Sequence, residues 1–320
     1  MNSVVYRTHA FLLCLMGQFR GGGLICVYWE AALRLTISSL ASDPFRAIRN
    51  LRRIIHRWLG TCTERETEMD KKISVENLKL TPQNDTYYIA WSIGVDKKYK
   101  KHMKKEIKSQ LTDVLGSMTQ NNAVEDISVY SHNKTAEKHG EFIIWDYLIL
   151  MQIKEKEDAE IILPNLKNVN IPFVLETIRM ELLVTTPNST YPTPGEGARK
   201  RHVKPFYAIE YVDVQPNHLD EFRDIMINNN GPAMKYIMEE ARWCHNFYAL
   251  ETLTVFYHHS SYPTWNQIHV IGLYLESIFL YKKDFSKGLA LTHSISFEEN
   301  FAQLKKIRTM LYKTIGRKMI

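Results

Sequence analysis

Two stretches of this chain carry the same order of strand-like and helix-like patterns, and that repetition limits its fold more than any other feature. From Thr86, apolar alternation and helical periodicity follow in the order strand, helix, strand, strand, helix, strand. The first strand spans Tyr87–Val95. A helix follows, with Tyr99, Met103, Ile107, Leu111, Val114, Leu115 and Met118 on one face and Lys97, Lys98, Lys100, Lys101, Lys104, Lys105 and Lys108 on the other. A lysine run opposite an apolar stripe reads as a solvated face rather than a phosphate grip. Strands are expected around Val124–His132 and Phe142–Ile153, then a short helix near Ala159–Leu166 and a long strand near Pro172–Thr185. The segment Thr186–Lys204 contains Pro192, Pro194, Gly195 and Gly197 and reads as a boundary.

Beyond it the pattern restarts. Phe206–Ile209 repeats Tyr87–Ala90 at an offset of 119, and Leu250–His258 repeats Val124–His132 at an offset of 126. The second match pairs Glu125 with Glu251 and His132 with His258, and Trp145-Asp146 then matches Trp265-Asn266. The unequal offsets imply a longer helical region in the second half, broken in two by Asn228-Asn229-Asn230-Gly231-Pro232. After a strand near Ile268–Tyr274 come Phe285–Thr292 and a C-terminal helix opened by Ser296 with Glu299, a capping box. No eighth strand is evident, so the second unit reads as incomplete or elaborated. The expected layout is an N-terminal extension over 1–68, a first α+β unit over 69–187, a linker over 188–204, and a second unit with a C-terminal helix over 205–320.

Composition divides the 320 residues at the same place. The net charge is +6, yet residues 1–62 hold eight Arg against only Glu30 and Asp43, so the remainder is neutral and a nucleic-acid footprint is not expected. All Lys residues follow Asp70, whereas Cys14, Cys26 and Cys62 precede it and leave Cys244 alone in the body. That body has neither an intramolecular disulfide nor a cysteine-based zinc site, which reads as cytoplasmic. The extension admits three readings: a translated leader upstream of a true start at Met69, an organelle transit peptide, or a membrane-lying helix. The last reading rests on Asp43 as N-cap, Pro44 at N1, and Phe45, Ile48, Leu51, Ile55 and Trp58 along one side over 43–58.

Two consecutive strand-helix-strand-strand-helix-strand units resemble the ferredoxin-like halves of the dimeric α/β barrel superfamily, which includes small monooxygenases, EthD-like proteins and chlorite-dismutase-like haem proteins. The resemblance covers roughly Thr86–Ile320 and includes no family motif. It implies a pocket between sheet and covering helices, a small-molecule ligand, and an oxygenase-like or isomerase-like enzyme acting on an apolar or aromatic substrate. A haem-binding relative and a non-catalytic binding or assembly module are the alternatives. A homodimer is a further expectation, and no cofactor other than haem is suggested.

The residues themselves supply candidates. The odd-numbered face of the strand from His245 to Tyr257 is mostly apolar with Glu251 at its middle. A carboxylate there is costly unless paired, and it reads either as a general base or as one end of a bridge to Arg or Lys. Glu251 and His245 are therefore the catalytic candidates, about 20 Å apart along the strand. Glu210 and Tyr248 are the substrate-binding candidates, with Tyr248 on the opposite face from Glu251. His258 and His269 are the haem-ligand candidates, without any metal-binding spacing to support them.

Overall fold

The computed structural model describes residues 78–95, 123–138, 145–168, 174–196, 201–292 and 295–319. The expected amphipathic helix near Asp43 and the lysine-faced helix over 97–118 lie outside these residues.

Eight strands close into a barrel: β1 (Tyr87–Val95), β2 (Val124–Lys138), β3 (Tyr147–Ile153), β4 (Val174–Thr185), β5 (Phe206–Val214), β6 (Cys244–His258), β7 (Gln267–Leu273) and β8 (Arg308–Lys318). Helix α1 (Asp158–Asn168) precedes β4, α2 (Leu219–Ile225) and α3 (Gly231–Tyr236) precede β6, and α4 (Ser277–Thr292) and α5 (Phe297–Ile307) precede β8. Around the barrel the order is β1-β3-β2-β8-β5-β7-β6-β4, antiparallel throughout, and it maps onto itself when each strand number advances by four. In the closed barrel every strand has a hydrogen-bonded neighbour on each side.

Alternation along each strand builds two cores. One set of side chains fills the lumen, among them Tyr88, Tyr130, Trp145, Tyr207, Tyr211, Tyr248, Trp265 and Tyr312. Tyr211 sits 4.7 Å from both Trp265 and Tyr312, centroid to centroid, so the lumen is an aromatic core rather than a channel. The other set faces outward, and in the first half Ile89, Trp91, Ile149 and Met151 pack against Ile162 and Leu166 of α1.

Three expectations fail, each for a physical reason. The C-terminal stretch is not one helix. The capping box does form, with Ser296 Oγ accepting from the Glu299 backbone and Glu299 from that of Ser296. The helix nevertheless stops at Ile307, where β8 takes over and pairs with both β2 and β5. The segment holds β-formers, Met310, Leu311, Tyr312, Thr314 and Ile315, between its Lys and Arg residues, and pairing between two open edges makes it a strand, so the second half has its full set of four strands. Gly316 allows the close approach, since a Cβ there would collide with the Ser131 carbonyl.

Nor do Asn228–Pro232 break the covering helix. Backbone angles stay right-handed from Leu219 through Ala241, with wide π turns at Met226–Asn230 and Ile237–Ala241, until Arg242 at φ 60° turns the chain into β6. A wide turn accommodates the missing N–H of Pro232. Asn229 donates to the Asn300 side chain at 2.9 Å, and Asn300 donates to Asn230 at 2.8 Å, which ties the π turn to α5.

The strand match at an offset of 126 is also overturned. Ser131 faces Tyr147 where Glu251 faces Gln267, and His132 faces Gly316 where Thr252 faces Leu183. Both second strands carry a bulge near their starts, between Val124 and Asp126 and between Cys244 and Asn246. By ladder position Glu125 therefore corresponds to His245, and His132 to Thr252. Trp145 and Trp265 do correspond, each just before its strand. His132 and His258 still stand edge-on to Trp145 and Trp265, at 5.8 and 5.9 Å, from different rungs. The repeated motif reflected this shared contact, not a shared register.

Candidate functional site

The outward face of the second half carries a row of polar side chains on adjacent strands. Glu210 of β5 faces His269 of β7 on one side and Lys313 of β8 on the other, and His269 in turn faces Ala249 of β6. The corresponding row in the first half is Trp91, Ile149, Met180 and Val129, all apolar and buried. The fold thus accepts an apolar row at this level, and the charged row of the second half is not imposed by the architecture.

Lys313 Nζ approaches Glu210 Oε1 at 2.5 Å, and His269 Nδ1 lies 3.4 Å from Oε2. His269 is 3% exposed. Burial pushes the Glu210 carboxyl upward, but the Lys313 charge and the His269 hydrogen bond more than offset this and hold it well below its usual range. Burial lowers His269, Glu210 opposes, and Arg308 and Lys313 add to the lowering; the ring is neutral near pH 7. Facing an ionised carboxylate, Nδ1 is the nitrogen that carries the proton. Nε2 then holds a lone pair, and it is buried with no hydrogen-bond partner. Phe222 of α2 lies parallel to the imidazole at 6.2 Å and Phe247 of β6 tilts against it at 6.1 Å, which gives the ring an aromatic surround.

The other candidates are dispersed. Glu251 shares the outward face and is held by Arg223 of α2 in a bidentate pair at 3.1 and 2.8 Å, Arg223 also reaching Asp220. His245 is the extra residue of the β6 bulge, at the far end from Glu251. Its Nδ1 lies 2.9 Å from the Tyr274 hydroxyl, and burial lowers its pKa. Tyr248 points into the lumen against Tyr88, on the other side of the barrel wall from Glu210. His258 lies 3.0 Å from the Tyr262 carbonyl through Nε2. Among the described residues no cluster of three or more His, Cys, Asp or Glu could hold a metal ion, and no helix is long and apolar enough to cross a membrane. Sequence reasoning missed Lys313 because it lay in the expected C-terminal helix. The signal for a strand was Met310-Leu311-Tyr312 with Thr314-Ile315 ahead of Gly316.

The fold and this row define an α+β barrel with a charged, histidine-containing cluster under the helices of one half. No family model matches the chain, and no curated protein is significantly similar to it in sequence. Among solved structures it is similar to an anthrone oxidase-like protein, at 11% identity and a TM-score of 0.45, over 77% of this chain and 93% of that one. It is also similar to a variant chlorite dismutase from Candidatus Nitrospira defluvii in complex with cyanide, at 11% identity and a TM-score of 0.41, over 74% of this chain and 91% of that one. These likenesses are of fold alone.

Proposed function

We propose that the chain is a tandemly duplicated α/β barrel whose second half binds a small apolar or aromatic molecule between sheet and helices, with His269 Nε2 accepting a proton or hydrogen bond from it. One observation carries this reading: a neutral imidazole with a free, buried acceptor stands in a charged row where the first half has only apolar side chains. Glu210 fixes the tautomer, and Lys313 keeps Glu210 ionised. The arrangement is that of a general base oriented by a carboxylate, which suits proton removal from an enol or phenol in an oxygenase-like or isomerase-like reaction. Glu251, tied to Arg223, is an orienting acceptor at one end of the face, and His245 stands at the other.

The test is saturable binding of 2-naphthol, followed by its absorption, which distinguishes naphthol from naphtholate. The full chain is expected to bind it, and His269→Gln to weaken binding about tenfold, the worth of one buried hydrogen bond. A second reading rests on the same Nε2, because an imidazole whose other nitrogen donates to a carboxylate is suited to ligate haem iron, the group that would supply redox chemistry. His269 would be the ligand. A Soret band that disappears in His269→Gln favours it, and neither 2-naphthol nor haemin binding favours a non-catalytic assembly module.

A further inference from the structure

We propose that Thr186 is a second binding residue of this site, its hydroxyl donating to a carbonyl oxygen at the far end of the ligand. On the reading that His269 Nε2 accepts from the ligand's hydroxyl, that ligand is a phenol or enol conjugated to a carbonyl group. The row that runs Lys313, Glu210, His269, Ala249 continues onto the residue after β4, because the Thr186 N–H donates to the Ala249 carbonyl at 2.8 Å. Val184 faces Glu251 and Thr185 faces Leu250, so alternation puts Thr186 on the outward side with Ala249 and Glu251. Thr186 is fully buried, and its Oγ1 has no hydrogen-bond partner among the described residues.

The first half is apolar at the same level. The Met319 N–H donates to the Val129 carbonyl as Thr186 does to Ala249, and Val129 faces Ile149 as Ala249 faces His269. Met319 and Val129 both pack into the outer core. The second half has the smaller Ala249 and Thr186 in their place, so the fold itself does not call for a hydroxyl there. A buried hydroxyl without a partner costs free energy, and a ligand atom that bonds it removes that cost.

Ala249 is framed on every side. Phe247 and Glu251 lie two residues either way along β6, while His269 and Thr186 flank it across the sheet. The backbones carrying His269 and Thr186 are about 10 Å apart, twice the strand spacing, so one aromatic ring with oxygens at opposite ends fits between the two side chains. Nε2 holds a lone pair, so the ligand oxygen at that end carries hydrogen. When this O–H bond breaks, the proton passes to Nε2, the imidazolium forms beside the Glu210 carboxylate, and the electron pair stays on the ligand. Conjugation carries the negative charge to the carbonyl oxygen, where a donated hydrogen bond strengthens with it. Thr186 is the donor at that end. Its segment is fixed under the covering helix by Ser189, whose Oγ donates to the Met226 carbonyl at 2.8 Å.

The test is calorimetric titration of the full chain with para-hydroxyacetophenone and with para-ethylphenol, which has the same outline without the carbonyl, alongside 2-naphthol. Wild type is expected to prefer para-hydroxyacetophenone. That compound is also the stronger acid, so the deciding comparison is between variants. Thr186→Val keeps the outline and removes the hydroxyl. It is expected to bind para-hydroxyacetophenone about fivefold more weakly, the worth of one hydrogen bond, with para-ethylphenol and 2-naphthol unchanged, and Thr186→Ser is expected to restore the preference. Without ligand, Thr186→Val should melt no lower than wild type, since the hydroxyl has no bond within the described residues to lose. If 2-naphthol binds and Thr186→Val keeps full affinity for para-hydroxyacetophenone, or if the unliganded variant melts lower, the role of Thr186 is overturned and that of His269 stands. Failure of all three compounds to bind overturns both.

Discussion

His269 and Ile149 occupy corresponding rungs of the two halves, and so do Glu210 and Trp91. The second half therefore holds ionic groups where burial makes them costly, and their mutual dependence has consequences that can be measured. In Lys313→Met, Glu210 keeps His269 as its ion-pair partner among the described residues, so the imidazole pKa should rise, read from histidine ring shifts against pH. Breaking a buried pair from one side costs about 3–5 kcal/mol, so the melting temperature should fall as well. The pH dependence has a definite sign. The folded pKa of His269 lies below its ordinary 6.5, so below that pH the unfolded chain binds the extra proton and stability drops. Glu210, depressed below its ordinary 4.5, contributes stability above that value that is lost as pH falls through its folded pKa. Melting temperature against pH should thus fall from about 6.5 downward, and less in His269→Gln than in the wild type. His245 and His258 are also lowered and account for the part that remains. An identical fall in wild type and variant would mean that His269 is not a neutral buried group.

At the scale of elements, the covering helix is held in register by side chains rather than by helix propensity. Asn300 is fully buried and is the shared partner of Asn229 and Asn230 at the π turn. Asn300→Ala strands two buried amides, each worth about 1–3 kcal/mol when unsatisfied, so a loss of roughly 2–6 kcal/mol is expected by denaturant titration. A loss under 1 kcal/mol would show that the turn relaxes without α5. Arg223 makes a contrasting case: its pair with Glu251 is bidentate, but the arginine is two-fifths exposed, so Arg223→Met should change stability little. The variant is instead expected to alter ligand binding if Glu251 is an orienting acceptor, and unchanged 2-naphthol affinity would remove Glu251 from the site.

At the scale of the whole molecule, each half completes the other's sheet. β4 runs beside β6 and β2 beside β8, so neither half presents a finished structure by itself. A chain ending at Ile307 lacks β8 and opens the edges of both β2 and β5. It is expected to aggregate or to lose its cooperative thermal transition, whereas the full chain melts in a single transition on calorimetry. A soluble, cooperatively folded product ending at Ile307 would show that closure is dispensable.

Local pattern determined much of this protein. The strand runs at Tyr87, Val124 and Phe206, the capping box at Ser296, and the helical face from Leu219 onward follow from periodicity and capping chemistry that act over a few residues. Glu210 and His269 were visible as polar residues in apolar strands, although nothing local joined residues 59 positions apart in the chain. Tertiary structure decided the rest. The register of β6 was set by bulges and by its neighbours on both sides, not by a motif shared with β2. β8 became a strand because two open edges needed one, and with that change Lys313 reached Glu210. A site assembled from strands distant in the chain is specified by their pairing, and pairing energy belongs to the closed barrel rather than to any one segment.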